Sequence, residues 1–319
     1  MRRNDFLLSL GALAAAGALP SRVRADARLK ILIPANPAGG WDTTGRELGK
    51  GILEAGAAQS IAYDNKGGGA GIIGLAHFIN SARGDPDALM VMGAVMLGGI
   101  IIGKPPVDLQ VCTPIARLTS EYNVFVLPGN SRFAALKDVI AQFKKDPGSI
   151  KWGGGSRGST EHIAACVLAR AVGVDPRKVN YVAFRGGGEA TAAVLGGEVT
   201  VGGSGYGEFA EHINSGKMKP IGVTSKERLP GIDVPTLVEQ GYDVVLGNWR
   251  GVYGPPAITA IQRAALTDDV VKATRTRAWK EALRRNVWMP ALLTGKPFDD
   301  FVGQEFSSLR ATMQASGMI

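Results

Sequence analysis

Cysteine and histidine are scarce in this chain of 319 residues, with two of the first and three of the second. Two thiols, Cys112 and Cys166, cannot build the disulfide framework that holds small secreted domains together. His77, His162 and His212 show no metal-ligand spacing with them or with each other. Aromatic residues make up only 7%, and the Lys and Arg residues are scattered without a basic run, which argues against a nucleic-acid surface. No G-x-x-x-x-G-K-[ST] element is present, so there is no P-loop. Asp and Glu are dispersed without evident pairs, and no low-complexity tract suggests a disordered region. Beyond the N-terminus, no apolar run reaches the ~20 residues of a membrane-spanning helix.

What is present starts with an export signature. Arg2 and Arg3 precede an apolar stretch from Phe6 to Leu19, and Val23-Arg24-Ala25 places small residues where a signal peptidase reads. Residues 1–25 therefore read as a signal peptide cleaved after Ala25, with Ala27 as the alternative. The Arg pair followed by Phe-Leu resembles a twin-arginine signal with its spacing off by one residue, so ordinary secretion is the first expectation. Cleavage leaves 32 basic and 27 acidic residues, a mild excess compatible with an anionic ligand. The length exceeds what one hydrophobic core usually serves, so two domains are expected.

Along the exported chain, short apolar strands alternate with helical patterns, which predicts an α/β fold with largely parallel sheets. Strands are expected at 29–34, 60–63, 88–92, 150–153, 179–184 and 199–202, with a β-rich stretch over 113–127. Helices are expected from Asp42, through Ala82, and over 135–145, 160–172, 189–195, 268–285 and 298–314. The chain is expected to cross between two lobes near 113–127 and to return near Asn248–Pro256. One lobe then comprises residues 26–124 plus 250–319, and the other residues 125–249. Cys112 and Cys166 fall in different lobes, as buried free thiols.

One device repeats: a strand ends, glycines follow, a helix starts. It occurs at Ala38-Gly-Gly-Trp-Asp, Gly67-Gly-Gly-Ala-Gly, Gly153-Gly-Gly-Ser-Arg-Gly-Ser-Thr and Gly186-Gly-Gly-Glu. Glycine permits close backbone approach and positive φ. The helix start offers unpaired N–H groups and the positive end of the helix dipole, a natural anion site. One such turn can be mere βα geometry, whereas four in one chain point to a ligand. Two tempting motifs fall away. Gly69-Ala-Gly71-Ile-Ile-Gly74 fits G-x-G-x-x-G, but it sits on the second βα unit and lacks the downstream acid that would hold a ribose. Gly154-Gly-Ser156-Arg-Gly158 fits G-x-S-x-G, but His162 is too local to serve as its base and no acid precedes His212 in the required order.

The order and spacing of several segments resemble the extracytoplasmic receptors of tripartite tricarboxylate transporters, the Bug receptors. They are Pro34-Ala-Asn-Pro-Ala-Gly-Gly-Trp-Asp, Asn65-Lys-Gly-Gly-Gly-Ala-Gly-Ile-Ile-Gly, Cys112-Thr-Pro-Ile-Ala-Arg-Leu, Gly155-Ser-Arg-Gly-Ser-Thr-Glu-His, Phe184-Arg-Gly-Gly-Gly-Glu-Ala and Ser215-Gly-Lys-Met-Lys-Pro-Ile-Gly-Val-Thr-Ser. The chain departs from the pattern at Cys112, where an aromatic is common, and at Lys66-Gly67. The resemblance implies a periplasmic binding protein of the Venus-flytrap, type II-like class, two lobes around a central cleft. It implies a periplasmic receptor and not an enzyme, without catalytic residues, cofactor or metal. Its partners are a small carboxylate and the large and small integral-membrane subunits of a transporter. The Gly-Gly-Trp-Asp form is similar to the tricarboxylate-type subset, which implies a citrate-like ligand.

Carried over by position, the contacts are Gly39, Gly40, Trp41, Asp42, Gly69 and Ala70 from one lobe, and Ser156, Ser159, Thr160, Gly187, Ser204 and Tyr206 from the other. Main-chain N–H groups at Gly39 and Gly40 would meet a carboxylate, while Asp42 caps the helix and orients the loop. Ser156, Ser159 and Thr160 would donate from the opposing lobe. Trp41 is either a cleft wall or a core residue. Arg185 and Arg250 are either counter-charges to the ligand or surface ion pairs. Two other readings of the chain are a ligand sensor for a signalling partner with no transport role, and a serine hydrolase built on Ser156.

Overall fold

The computed structural model describes residues 27–319; the expected signal peptide lies outside the described residues. Ten strands and ten helices follow one another from Arg28. The strands are β1 (Arg28–Ile33), β2 (Ser60–Asn65), β3 (Ala88–Gly93), β4 (Thr113–Pro128), β5 (Lys151–Gly154), β6 (Asn180–Ala183), β7 (Val201–Gly205), β8 (Met218–Val223), β9 (Gly247–Gly254) and β10 (Met289–Thr294). The helices are α1 (Gly40–Glu54), α2 (Ile72–Ser81), α3 (Ala94–Gly103), α4 (Leu136–Lys145), α5 (Thr160–Ala171), α6 (Gly187–Leu195), α7 (Tyr206–Asn214), α8 (Ala260–Arg275), α9 (Arg277–Arg285) and α10 (Gly295–Ala315).

The 16-residue strand β4 is the spine. Its first part, Thr113–Tyr122, pairs antiparallel with β9 on one side, and within it Ala116–Ser120 pairs with β10 on the other. Its second part pairs with β7 and β8. Strands β2, β1 and β3 extend the first sheet through β9, whereas β5 and β6 extend the second through β7. Two lobes thus share one long strand, and β9 returns the chain beside it.

Side-chain periodicity explains the layers. In the second half of β4, Val124 and Val126 enter a core with Val194, Phe209 and Val223, while Phe125 and Leu127 enter another with Trp152, Phe143 and Leu168. Alternate residues face opposite sides of a strand, so this strand is buried on both faces. Trp152 anchors its core edge-on to Phe125 and Phe143, with ring centroids 5.3 and 5.6 Å apart. The first lobe packs α1, α3 and α8 against β1, β3 and β9 through Ile31, Leu48, Val91, Leu97, Val252 and Leu266. Cys112 and Cys166 are both free and buried, and burial pushes both thiols up to about 12.

Several elements differ from the sequence expectation. Helix α3 was not anticipated, because Gly98 and Gly99 depress helix propensity. Both glycines serve packing: a β-carbon on Gly99 would lie 2.4 Å from the Ala70 methyl, and one on Gly98 would enter the backbone of Gly158. The single helix expected at 268–285 is two. Thr276 ends α8, and its hydroxyl accepts from Trp279 N at 3.2 Å to cap α9. Helix α8 itself starts earlier, at a capping box formed by Thr259 and Gln262. Strand β10, carrying Pro290, sits at a sheet edge where proline is tolerated.

Candidate functional site: the cleft between the lobes

Helix α1 starts at Gly40, with Gly39 as its N-cap, and not at Asp42. Asp42 therefore does not cap the helix. Its Oδ2 reaches back to accept from Ala38 N at 3.0 Å, and its Oδ1 accepts from Arg46 Nε at 2.9 Å and Asn65 Nδ2 at 3.0 Å. Burial raises the Asp42 carboxyl, but these hydrogen bonds more than offset it, leaving the group below its usual range. The carboxylate thus fixes the loop between β1 and α1. The next corner, 67–71, runs through positive φ at Gly68, Gly69, Ala70 and Gly71, which is what its glycines provide.

All four glycine corners meet around one cavity of ≈ 80 Å³. Gly39, Gly40 and Trp41 line it from the first corner, Gly68, Ala70 and Gly71 from the second, Gly155 and Ser156 from the third, and Gly186 and Gly187 from the fourth. The starts of α1 and α6 thereby face the same space with their dipoles' positive ends. Trp41 fills both roles considered for it: it lines the cavity and is buried in the first-lobe core.

The lobes touch at these corners. A β-carbon on Gly39 would lie 2.7 Å from Gly187 N, and one on Gly158 would lie 2.8 Å from Gly98 O. Asn36 Nδ2 donates to Glu189 Oε1 at 2.6 Å, and Arg250 NH2 donates to Glu208 Oε1 at 2.8 Å. Arg250 is not a surface cation. Its side chain is 4% exposed, it also pairs with the equally buried Glu121, and its guanidinium lies over the Trp288 ring. Arg185 is exposed and stands at the rim of the cavity.

A scan against family models matches residues 46–317 to the tripartite tricarboxylate transporter family receptor. The chain belongs to this family. Among curated proteins, the receptor is 24% identical to protein BugT of Bordetella pertussis over 99% of both chains. Among solved structures, it resembles the periplasmic binding protein BugD with a TM-score of 0.82 at 20% identity, covering 91% of this chain and 97% of that one. It also resembles MatC of Rhodopseudomonas palustris, solved with bound malate, with a TM-score of 0.77 at 21% identity over 89% and 98% of the two chains. These likenesses establish the fold, a two-lobed periplasmic binding protein. Among the described residues, no helix is long and apolar enough to cross a membrane.

Of the residues carried over by position, Gly39, Gly40, Trp41, Ala70, Ser156, Gly187 and Ser204 line the receptor's cavity. Asp42, Gly69, Ser159, Thr160 and Tyr206 do not. Gly69 shapes its corner at φ +59. Tyr206 opens α7 and packs against the third core. Ser159 is buried as the N-cap of α5, its Oγ accepting from His162 N at 3.4 Å. Thr160 Oγ1 donates to Glu161 Oε2 at 3.1 Å. We expect Ser159→Ala to lower stability in urea by about 1 kcal/mol, the usual worth of such a cap, with ligand affinity unchanged; a loss of affinity at full stability would return Ser159 to the contact set.

His162 does not serve Ser156 as a base. Its Nδ1 accepts from Gly158 N at 3.0 Å, and its ring packs on Tyr181 with centroids 4.1 Å apart. Burial, helped by nearby Arg157, pulls its pKa down to about 4, so it is neutral at pH 7. The sequence reading missed Asn123, Asn248, Glu161 and Glu208, which also line the cavity. Asn123 and Asn248 lie in the two crossing segments, where a polar residue inside an apolar strand was the available signal. Glu161 lies inside a quoted motif, and Glu208, on an unanticipated helix, gave no signal.

Proposed function

We propose that this receptor captures a small carboxylate between its lobes and presents it to the large and small integral-membrane subunits of a tripartite transporter. The convergence of four glycine corners on one cavity carries the reading. A ligand carboxylate placed there meets main-chain N–H groups at the start of α1 and α6, each such charge–dipole contact contributing about 0.3–1 kcal/mol, or ~2 when partly buried. Closure brings Gly39 against Gly187 and removes the anion from water, which shifts the lobes toward the closed arrangement. The hinge in this reading is the pair of segments that pass between lobes, at Tyr122–Asn123 of β4 and at Leu246–Gly247, where β9 begins. That MatC was solved with bound malate supports a ligand of this chemistry. Export to the periplasm, on the signal at residues 1–25, belongs to the same proposal.

A thermal-shift panel of mono-, di- and tricarboxylates tests it. A ligand held only by the folded state adds RT ln(1 + [L]/Kd), about 2.7 kcal/mol at a hundredfold excess over Kd. At least one small carboxylate is expected to raise the melting temperature, while matched neutral amides and sugars do not. The reverse pattern contradicts the proposal. The citrate-like expectation falls separately if amino acids shift the melt and citrate does not.

A further inference from the structure

The positive charge of the exported chain is concentrated in one place. Residues 272–285 hold six cations, Lys272, Arg275, Arg277, Lys280, Arg284 and Arg285, against one acid, Glu281. Of the 32 basic and 27 acidic residues left after cleavage, 26 of each sign lie elsewhere, so this stretch accounts for the whole surplus. Other residues separate the six, which hides the cluster in the sequence. They span the end of α8 and the length of α9, and all six are exposed. In α9, Arg277, Lys280 and Arg284 follow the i, i+3, i+7 spacing of one helix face, opposite Trp279 and Ala282, which are 1% and 0% exposed.

Helix stability does not account for the cluster. Cations suit the last turn of a helix, where Arg284 and Arg285 stand, but Arg277 and Lys280 occupy the first turn of α9, where the dipole disfavours them and no acid accompanies them. Glu54 of α1 answers that dipole, accepting from Arg277 N at 3.0 Å and Ala278 N at 2.9 Å. Ion pairing explains half of the six: Lys272 pairs with Asp268, Arg277 with Glu281 and Arg285 with Glu47, which also takes Lys50. Among the described residues, Arg275, Lys280 and Arg284 form no ion pair.

The chemistry of this face fits an extended anionic surface better than a folded protein partner. A specific protein interface has an apolar or aromatic centre, and residues 272–285 expose no large apolar side chain. The apolar side of α9 is already committed, since Trp279 and Leu283 belong to the first-lobe core, so the helix has nothing to insert among acyl chains. What it offers is charge, which lipid headgroups match without shape complementarity. We propose that the α9 face adsorbs the exported receptor reversibly onto a bilayer surface rich in anionic lipid. The inference is independent of what the cleft binds. A receptor that delivers its ligand to membrane subunits gains from it, because adsorption confines the search for those subunits to the plane of the membrane.

Vesicle flotation with the exported receptor, residues 26–319, tests the proposal; this part contains the whole two-lobed fold. Vesicles of phosphatidylglycerol and phosphatidylcholine in equal parts are expected to carry the receptor at low salt and to release it as salt rises, while pure phosphatidylcholine vesicles leave it behind. A triple variant, Arg275→Gln, Lys280→Gln and Arg284→Gln, is expected to lose roughly tenfold or more in vesicle affinity, with an unchanged melt because no ion pair is broken. A matched variant removes the same charge from exposed lysines of α4 in the other lobe, Lys137→Gln, Lys144→Gln and Lys145→Gln, and is expected to bind as wild type does. Absence of binding to the mixed vesicles at low salt overturns the proposal, as does equal binding to both vesicle types. Equal losses in the two variants overturn it as well, since net charge and not the α9 face would then be the cause. Capture only by vesicles that carry the membrane subunits would assign the face to an acidic protein surface and overturn it in turn.

Discussion

A Gly39→Val receptor is expected to fold normally and to lose roughly a hundredfold in ligand affinity. Gly39 has φ −118 and ψ 178, extended values that valine adopts without strain. Its role as N-cap involves no side-chain hydrogen bond, so none is lost. The obstacle is in the other lobe: the new β-carbon would lie 2.7 Å from Gly187 N, a backbone atom that cannot turn aside. Overpacking of this kind costs about 1–3 kcal/mol, and here the cost falls on the closed arrangement alone, because opening the lobes relieves it. Titration should show the weakened binding and a melt of the free protein close to wild type. Affinity equal to wild type would mean that the first corner does not close on the ligand. Gly40→Val is a poorer test, because its β-carbon would displace the Arg250–Glu208 pair and disturb stability and binding together.

Replacing Arg250 is expected to have the largest effect on stability. Arg250→Leu keeps the bulk of the side chain but leaves Glu121, 4% exposed, without its cation. Removing one member of a buried pair costs about 3–5 kcal/mol, or roughly 10 °C in melting temperature for a chain of this size. Its pH dependence has a definite sign. Burial already holds Glu121 above the usual carboxyl range against Arg250's pull, and losing that pull raises it further. The folded variant then keeps a proton that the unfolded chain has released, so its deficit grows as pH rises through neutrality and shrinks on acidification. Glu121→Gln in the same chain should restore part of the loss. Urea melts at two pH values test both statements, and an equal or smaller deficit at the higher pH would show that Glu121 is not the group left uncompensated.

Much of this fold was legible because local signals agreed with one another. Strand β3 is apolar throughout and buried at every residue, and the glycine turns marked four helix starts to within a few residues. The start of α1 was misplaced because Asp42 looks like a cap, whereas its carboxylate reaches back to Ala38 N from inside the first turn. Helix α3 was hidden because its glycines answer to contacts with Ala70 and Gly158, far away in sequence. The site was legible in the same uneven way. Main-chain contributors could be located, since glycine in a turn announces itself. Ser159 and Thr160 stand outside the cavity lining, because the hydroxyls that suit an anion also suit an N-cap and a neighbouring carboxylate, and here they serve those. At the polar base of the cleft, Arg250 was a candidate and Asn123 and Asn248 showed only as polar residues in apolar strands, whereas bringing them together with Glu208 of α7 depends on tertiary pairing that no local pattern encodes.

The most direct measurement is a crystal structure of the receptor with its tightest-binding carboxylate. The carboxylate oxygens should lie within hydrogen-bond distance of main-chain N–H groups from the 39–40 corner of one lobe and the 186–187 corner of the other, directly or through one water. A ligand bound with both corners open to solvent and untouched would contradict the account.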